Sequence, residues 1–362
     1  MLELSVSSDF DYESAEYKAL FDNADVTAFQ HPAWQSAMQA HLRSVSGIKE
    51  CTLLMRCKKS GMLVALVPLI SRKKMGATIL EYANLGLVDY AMPTLHNDIF
   101  QWIPDTKTLS EQLYKTLGSY DVLRIKHMPI DNPLILKLFP NSVMERADFS
   151  AHAAKVGPDY DLWRQEAISK SERKHRDKKR RAMMRAGEWQ MKRLHDPLEI
   201  RIAFEYLRVF HKARYADRPG EDMMQDQGAF QFYVDLACKQ AESGFARIYQ
   251  FTFDDKIVAV QFGIVQEERY FYLMMGVDYD RMGRWSPGLL MTEDIFRDCI
   301  KDGMSVVDLT VGDEPYKQKF GTKPIPIYTL WHTHSMLGQM GRTVADMAQK
   351  RYVPERVRRW VS

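Results

Sequence analysis

Residues 269–321 read RYFYLMMGVDYDRMGRWSPGLLMTEDIFRDCIKDGMSVVDLTVGDEPYKQKFG, and this stretch decides the fold. It opens with an apolar and aromatic run, 270–276, which predicts a strand. Ser286 followed by Pro287 is typical of an N-cap and the first position of a helix, which we expect to run to residue 301. A second apolar run, 305–311, completes a strand-helix-strand unit. Because such crossovers connect parallel strands, the two strands are predicted to be parallel neighbours.

The same order of elements is predicted in both halves of the chain: two helices, three strands, a helix and a strand. The first half has helices at 12–22, 32–45 and 109–117 and strands at 51–58, 62–71, 77–85 and 121–128; the second has helices at 198–215, 228–242 and 287–301 and strands at 246–253, 257–266, 269–277 and 305–311. Similar short sequences at 86–90 and 276–279 fall at equivalent places, which indicates an internal duplication. Residues 142–156, between the halves, fit either a strand or a linker.

The overall composition is that of a folded, water-soluble protein. A length of 362 residues suits two domains, and 46% apolar residues suffice for a core in each. The net charge of +3 is too small to indicate a nucleic-acid-binding protein by bulk charge. The longest apolar run, 62–70, is too short to cross a bilayer and no signal sequence opens the chain, so we expect a cytoplasmic protein without a transmembrane segment. No CxxC or Cys/His cluster predicts a metal site.

A basic segment lies between the halves. Lys and Arg dominate residues 169–185, where only Glu172 and Asp177 oppose them. At 100° per residue the charges cover every face of a helix, so we expect it to project into water or to contact an anion. Two interpretations stay open: a solvated inter-domain helix, and a surface for phosphate-rich partners.

The predicted helix start at Ser286 suits a pyrophosphate. A bare first turn with Gly288 presents free N–H groups and the positive end of the helix dipole. The candidate phosphate-binding residues are Arg281, Arg284, Ser286, Gly288 and Leu289. The alternative is a well-capped helix start without a ligand.

Asp308 interrupts an otherwise apolar strand. Such a carboxylate is paired, faces solvent, or acts as a proton acceptor once burial raises its pKa. The turn that follows places Tyr316 and Lys317 at the same end of the sheet.

The order of several motifs resembles a known family. These motifs are Asp89-Tyr90, the basic helix, 210–214, 258–263, Ser286-Pro287-Gly288 and above all 308–321. Together they are similar to the GNAT-type acyltransferases of the CelD-like cellulose-biosynthesis group, which are relatives of the Fem aminoacyltransferases. The similarity extends over nearly the whole chain and is strongest at 169–321.

The resemblance implies an α/β (α+β) protein of two tandem GNAT-like folds, each a mixed sheet flanked by helices, with a projecting basic helix between them. The expected domains are 1–157, a linker at 158–187, an acyl-CoA domain at 188–335 and a basic tail at 336–362. The implied co-substrate is acyl-CoA, most simply acetyl-CoA, bound in the second domain at the phosphate-binding residues named above.

The expected reaction is direct attack of an amine or hydroxyl of a sugar or polysaccharide precursor on the thioester. Asp308 and His211 are candidate bases, and Tyr316 is where several GNAT enzymes place an acid. His211 is otherwise a packed or capping histidine, and Tyr316 a core or capping tyrosine. Asp89, Tyr90 and Lys317 are candidate substrate contacts, although the first two fit a turn and the third an exposed position.

Two alternatives to this function stay open. A Fem-like enzyme would take an aminoacyl group from charged tRNA, which the basic helix at 170–185 would bind; we expect nucleic acid to bind nowhere else. The other alternative is a GNAT-fold binding protein without catalysis. The acyl chain, the acceptor and the oligomeric state do not follow from the sequence.

Overall fold

The computed structural model describes residues 2–74, 76–103, 105–129, 136–137, 139, 141–215, 222–336, 338–340 and 342. Described residues within Met1–Asp148 and Pro326–Ser362 form one compact unit, and those within Phe149–Ile325 form a second. We call these the N-terminal and C-terminal units. Most of the predicted tail at 336–362 lies outside the described residues. No helix in the described ranges is both long and apolar enough to span a bilayer.

The helices and strands follow the predicted order closely. The first half of the chain forms β1 (Leu2–Ser7), α1 (Ala15–Phe21), α2 (Pro32–Leu42), β2 (Ile48–Glu50), β3 (Thr52–Cys57), β4 (Leu63–Val67), β5 (Leu69–Lys74), β6 (Ala77–Tyr82), β7 (Thr94–Leu95), α3 (Thr106–Leu117) and β8 (Val122–Met128). The rest forms β9 (Val143–Lys155), α4 (Tyr160–Ala167), α5 (Lys170–Ala186), β10 (Trp189–Leu194), α6 (Pro197–Tyr215), α7 (Gln227–Gln240), β11 (Ala246–Phe253), β12 (Lys256–Gln266), β13 (Arg269–Val277), α8 (Tyr279–Met282), α9 (Pro287–Lys301), β14 (Val306–Val311) and β15 (Lys323–Thr333).

The N-terminal unit has two groups of paired strands, ordered β1-β3-β4-β7 and β15-β8-β6-β5-β2. The strand predicted at 62–71 is divided at Pro68 into β4 and β5, which join different groups. Proline lacks the amide that a continuous strand would use for pairing, so the strand changes partners there.

The C-terminal unit has one mixed sheet in the order β10-β11-β12-β13-β14-β9. β13 and β14 are parallel, as the strand-helix-strand pattern predicted. α6 packs closely on β13 at Gly276, where an added Cβ would lie 2.9 Å from the Leu207 carbonyl oxygen. Only glycine allows the helix to approach the strand this closely.

Each unit completes its sheet with a strand from the other half of the chain. β14 pairs antiparallel with the end of β9, through Val307 opposite Ala154. β8 pairs antiparallel with β15, through Arg124 opposite Trp331. This exchange explains why the units differ from the predicted domain boundaries, and why the predicted linker at 158–187 forms α4 and α5 inside the C-terminal unit.

The basic helix α5 buries one of its faces, so the expectation that it projects into water on all sides is wrong. Arg176 is 1% exposed, lies with its guanidinium 4.3 Å from the Phe320 ring centroid and pairs with Glu172. Arg180 pairs at 2.8 Å with Asp294 of α9. The spacing of charged residues in the sequence could not predict this buried face, because the carboxylates that neutralise its cations lie on a neighbouring helix, α9.

Candidate active site

A cavity opens where β13 and β14 separate. The two strands pair over three residues each, ending at Phe271 opposite Asp308. Beyond this pair, residues 272–275 and 309–311 line a cavity of about 310 Å³. The cavity therefore lies beyond the carboxyl end of a parallel strand pair, which is where open α/β sheets bind their ligands.

Two backbone irregularities lie at the point of separation. Phe262 and Gly263 pair with Met274 and Tyr272, so Leu273 is an extra residue that forms a β-bulge. Thr310 has a left-handed φ of 54° and its hydroxyl donates to the Tyr272 carbonyl at 3.3 Å. Bulges of this kind redirect the chain beside binding sites.

Asp308 stabilises this separation and does not line the cavity. It is fully buried, its Oδ2 lies 2.6 Å from the Arg269 guanidinium, and its Oδ1 accepts from the Thr310 amide at 2.7 Å. Of the alternatives open from the sequence, the structure shows the paired carboxylate. Its contacts are those of a residue that holds the backbone turn at Thr310.

The start of α9 forms another wall of the cavity. Ser286 is the N-cap residue, but its side chain makes no capping hydrogen bond and its backbone is left-handed at φ 57° and ψ 54°. The prediction that its side-chain oxygen caps the helix is therefore wrong. Ser286, Gly288 and Leu289 line the cavity, and an added Cβ at Gly288 would lie 3.3 Å from the Tyr279 hydroxyl. Pro287 has no amide hydrogen and the Leu289 amide donates to the Ser286 carbonyl at 3.2 Å, so the bare first turn leaves the Gly288 amide beside the cavity.

The two arginines predicted beside this turn lie outside the cavity lining. Arg281 has its Nε 3.9 Å from Asp278. The Arg284 guanidinium stacks 4.0 Å from the Trp285 ring centroid. The structure thus brings three of the five predicted phosphate-binding residues together.

His211 lines the opposite part of the cavity and forms a dyad with Asp222. Its Nδ1 lies 2.6 Å from Asp222 Oδ1, and both side chains are largely buried. The Asp222 carboxylate also accepts from the Met224 amide at 3.0 Å, which fixes its position. Because a carboxylate accepts the proton of Nδ1, this contact favours the tautomer whose Nε2 carries the lone pair. The sequence did not identify Asp222, since a carboxylate in a loop eleven residues after His211 has no characteristic spacing.

Tyr316 and Lys317 both line the cavity, in agreement with their predicted position at this end of the sheet. Lys317 is only 2% exposed, so the exposed alternative is wrong. Its ammonium group donates to the carbonyls of Thr310, Val311 and Gly312 at 2.8–3.2 Å and pairs with Glu314 at 3.0 Å. These contacts hold the end of β14 in shape.

Tyr272 lies beside Tyr316 in the cavity wall. Burial raises the pKa of Tyr272 well above its ordinary value, and the proximity of Tyr316 adds to this shift. Its hydroxyl therefore stays protonated at neutral pH. Tyr279 and Thr292, which sequence reasoning did not single out, also line the cavity.

Asp89 and Tyr90 belong to the N-terminal unit and do not line this cavity. Tyr90 is 1% exposed, and its ring packs edge-on against Phe29 at 5.8 Å. Its carbonyl accepts from the Gln30 side chain at 2.9 Å. These are the contacts of a core residue beside a turn.

Comparison with known proteins agrees with this geometry. Residues 169–318 match the family described as "Acetyltransferase (GNAT) domain". FemX superposes with a TM-score of 0.61 at 9% identity, over 91% of this chain and 98% of that one. A conserved protein of unknown function from Bacteroides thetaiotaomicron gives 0.57 at 11% identity, over 91% and 99%. L-PGS from Bacillus licheniformis gives 0.55 at 12% identity, over 94% and 98%.

These similarities define the class of fold. At such low identities the solved structures show the fold alone, and no curated protein matches the chain. The protein has a GNAT-type acyltransferase fold, and its two units are two GNAT-like folds. The acetyltransferase match covers much of the C-terminal unit, including His211, the start of α9 and Lys317.

Proposed function

We propose that the protein is a cytoplasmic acyltransferase that moves an acyl group from acyl-CoA, most simply acetyl-CoA, to an amine or hydroxyl of a sugar or polysaccharide precursor. One observation carries the proposal. The cavity between the separating strands is lined by the start of α9, which offers the Gly288 amide, and by His211 of the His211–Asp222 dyad. The resemblance of the motifs at 308–321 to the CelD-like group supports a saccharide acceptor.

The start of α9 would bind the donor. The Gly288 amide and the positive end of the helix dipole suit the CoA pyrophosphate. Gly288 keeps this turn open, because any side chain there would extend toward Tyr279. Ser286 and Leu289 complete the wall. The thioester would then lie along residues 272–275, where β13 no longer pairs with β14.

His211 would act as the general base. With Nδ1 held by Asp222, Nε2 takes the proton from the attacking amine or hydroxyl as the new bond to the acyl carbon forms. The bulged backbone at Leu273 would donate its amide to the developing oxyanion. When the carbon–sulfur bond breaks, the departing thiolate takes a proton from Tyr316. Asp308 and Lys317 act on the same site by holding the Thr310 turn.

The donor is tested by thermal unfolding with and without acetyl-CoA. At a concentration of about 100 times Kd, a bound ligand stabilises the folded state by about 2.7 kcal/mol. Gly288→Leu should abolish this shift. Gly283→Leu is the matched control, because an added Cβ there would meet nothing within 4 Å. Absence of a shift with any CoA ester would contradict the donor and would favour a GNAT-fold binding protein.

A second candidate function is aminoacyl transfer from charged tRNA, and one feature of α5 favours it. Five exposed cations share the outer face of this helix: Lys170, Lys174, Lys178, Arg181 and Arg185. At 100° per residue they fall within a narrow arc, and no ion pair involves them among the described residues. Such a row suits the phosphate backbone of a nucleic acid.

Salt dependence separates the two functions. For the tRNA-dependent enzyme, reversing Lys174 and Lys178 to Glu should abolish RNA binding, and the affinity should fall steeply with salt. For the acyl-CoA enzyme the same double variant should keep its activity, because neither lysine is among the residues that line the cavity. Lys301→Glu, another exposed lysine of this unit, controls for nonspecific charge.

A further inference from the structure

The N-terminal unit contains a second cavity at the matching place in its own sheet. β6 and β8 are parallel over three residue pairs, ending at Glu81 opposite Arg124. Beyond this pair, Tyr82 and residues 84–86 and 126–127 line a cavity of about 260 Å³. The two units therefore share one construction: a short parallel strand pair that separates and leaves a cavity at its carboxyl end.

The chemistry of this second cavity differs from that of the first. Its lining includes three cationic side chains, Arg72, Arg124 and Lys126, and one carboxylate, Glu81. Glu81 contacts both guanidinium groups, at 2.8 Å for Arg124 and 2.6 Å for Arg72. Among the described lining residues, one carboxylate is thus shared between two of three cations, which gives these residues an excess of positive charge.

This excess charge lies in a concave and partly buried place. Arg124 and Glu81 are 8% and 9% exposed. Burial, followed by the proximity of Arg124, lowers the pKa of Lys126 to about 8. Cations held together in a recess raise the local potential and attract anions more strongly than the same cations on an open surface.

Polar groups complete the wall. Asn84 Oδ1 accepts from the Gly86 amide at 3.2 Å, so its side-chain nitrogen remains as a donor. His127 Nδ1 contacts the Val88 carbonyl at 3.0 Å, which orients the ring at the end of β8. The volume of about 260 Å³ leaves room for a small molecule.

We propose that this cavity binds the oxyanion group of a small molecule, a phosphate or a carboxylate, at a site separate from the cavity between β13 and β14. Arg124 and Lys126 supply the charge, and Asn84 supplies a neutral donor. The site goes beyond the proposed acyl transfer, because it uses residues of the N-terminal unit only.

Calorimetric titration of the full chain at low salt, with inorganic phosphate and with succinate as probes, tests the proposal. Lys126→Gln should weaken binding by about tenfold or more, because it removes a charge from a partly buried site. Asn84→Asp keeps the acceptor for the Gly86 amide, adds a negative charge with little change of shape, and should weaken binding similarly. Lys301→Gln, at an exposed position of the C-terminal unit, removes the same charge elsewhere and should leave binding unchanged.

Each result of the titration supports or overturns the proposed oxyanion site. Binding of phosphate alone supports a phosphorylated ligand, and binding of succinate alone supports a carboxylate. Absence of binding of both probes up to about 10 mM, a concentration that detects millimolar affinity, overturns the site. Equal affinities for the native chain, Lys126→Gln and Asn84→Asp also overturn it. Because acetyl-CoA binding is measured separately, failure of this site leaves the proposed acyl transfer standing.

Discussion

Replacing Asp222 with asparagine tests the proposed catalytic dyad most directly. His211 Nδ1 and Asp222 Oδ1 are 2.6 Å apart, and the side chains are 10% and 8% exposed. A hydrogen bond to a charged group in such surroundings contributes about 1.5–3 kcal/mol. An asparagine amide facing Nδ1 would reverse the tautomer and place the proton on Nε2, where the imidazole no longer accepts one.

The expected loss of activity is about a hundredfold to a thousandfold, within the range attributed to a general base. The assay is thiol release from acetyl-CoA in the presence of a panel of amino sugars and other amines. Urea unfolding should show a smaller effect on stability, because the carbonyl oxygen of the substituted side chain can still accept from the Gln225 side chain when the amide nitrogen faces Nδ1.

A double-mutant cycle decides whether the two residues act together. If Asp222 works through the imidazole, then Asp222→Asn added to His211→Ala should cost almost nothing further. Additive losses would show that Asp222 acts independently of His211. Full activity of Asp222→Asn would refute the assignment of His211 as the base.

Three further predictions concern stability. Gly276→Ala should cost about 2 kcal/mol in urea unfolding, because the new Cβ would lie 2.9 Å from the Leu207 carbonyl oxygen. Arg176→Met should cost about 3 kcal/mol, since it removes the contacts of a buried guanidinium with Glu172 and the Lys319 carbonyl, whereas Lys174→Met should change stability by less than about 0.5 kcal/mol. Burial lowers the pKa of His31 to about 4, so the unfolded chain takes up the proton first and stability should fall as the pH drops from about 6.5 to about 4. His31→Asn, another N-cap residue, should flatten this part of the profile of stability against pH.

Each of these three stability predictions would be contradicted by a specific result. Unchanged stability of Gly276→Ala would mean that α6 moves away without cost. Equal effects of the substitutions at Arg176 and Lys174 would contradict the buried face of α5. A pH profile that His31→Asn leaves unaltered would assign the acid sensitivity to other groups.

Local patterns in the sequence determined much of the fold. The bounds predicted for β11, β13 and α9 agree with the structure to the residue, because apolar runs and the Ser286-Pro287 step mark them clearly. Five strands were missed: β1, β2, β7 and β10, which are short or more polar, and β15. The partners of β9 and β15 were not predictable either, because an apolar run does not specify which distant strand will pair with it.

The residues of the candidate site were also predicted only in part, because some follow local motifs and others come together only in the folded chain. Ser286, Gly288, His211 and Tyr316 were identified from local motifs, and the structure brings them to one cavity. Asp222 is eleven residues from His211 in the sequence, and the contact between them appears only in the folded chain. Lys317 was correctly placed, but its contacts with three carbonyls depend on the turn at the end of β14, which no local pattern encodes.

The exchange of strands has a consequence for the order of events at the ribosome. β8 pairs with β15, through Arg124 opposite Trp331. The sheet that contains β6 and β8 can therefore be completed only after nearly the entire polypeptide has been synthesised. Until then the open edge of β8 is available for wrong pairings, with another nascent chain among them. A gene cut between the two halves would therefore yield fragments that each lack one strand of their sheet, and coexpression of both pieces would be the way to recover the native assembly.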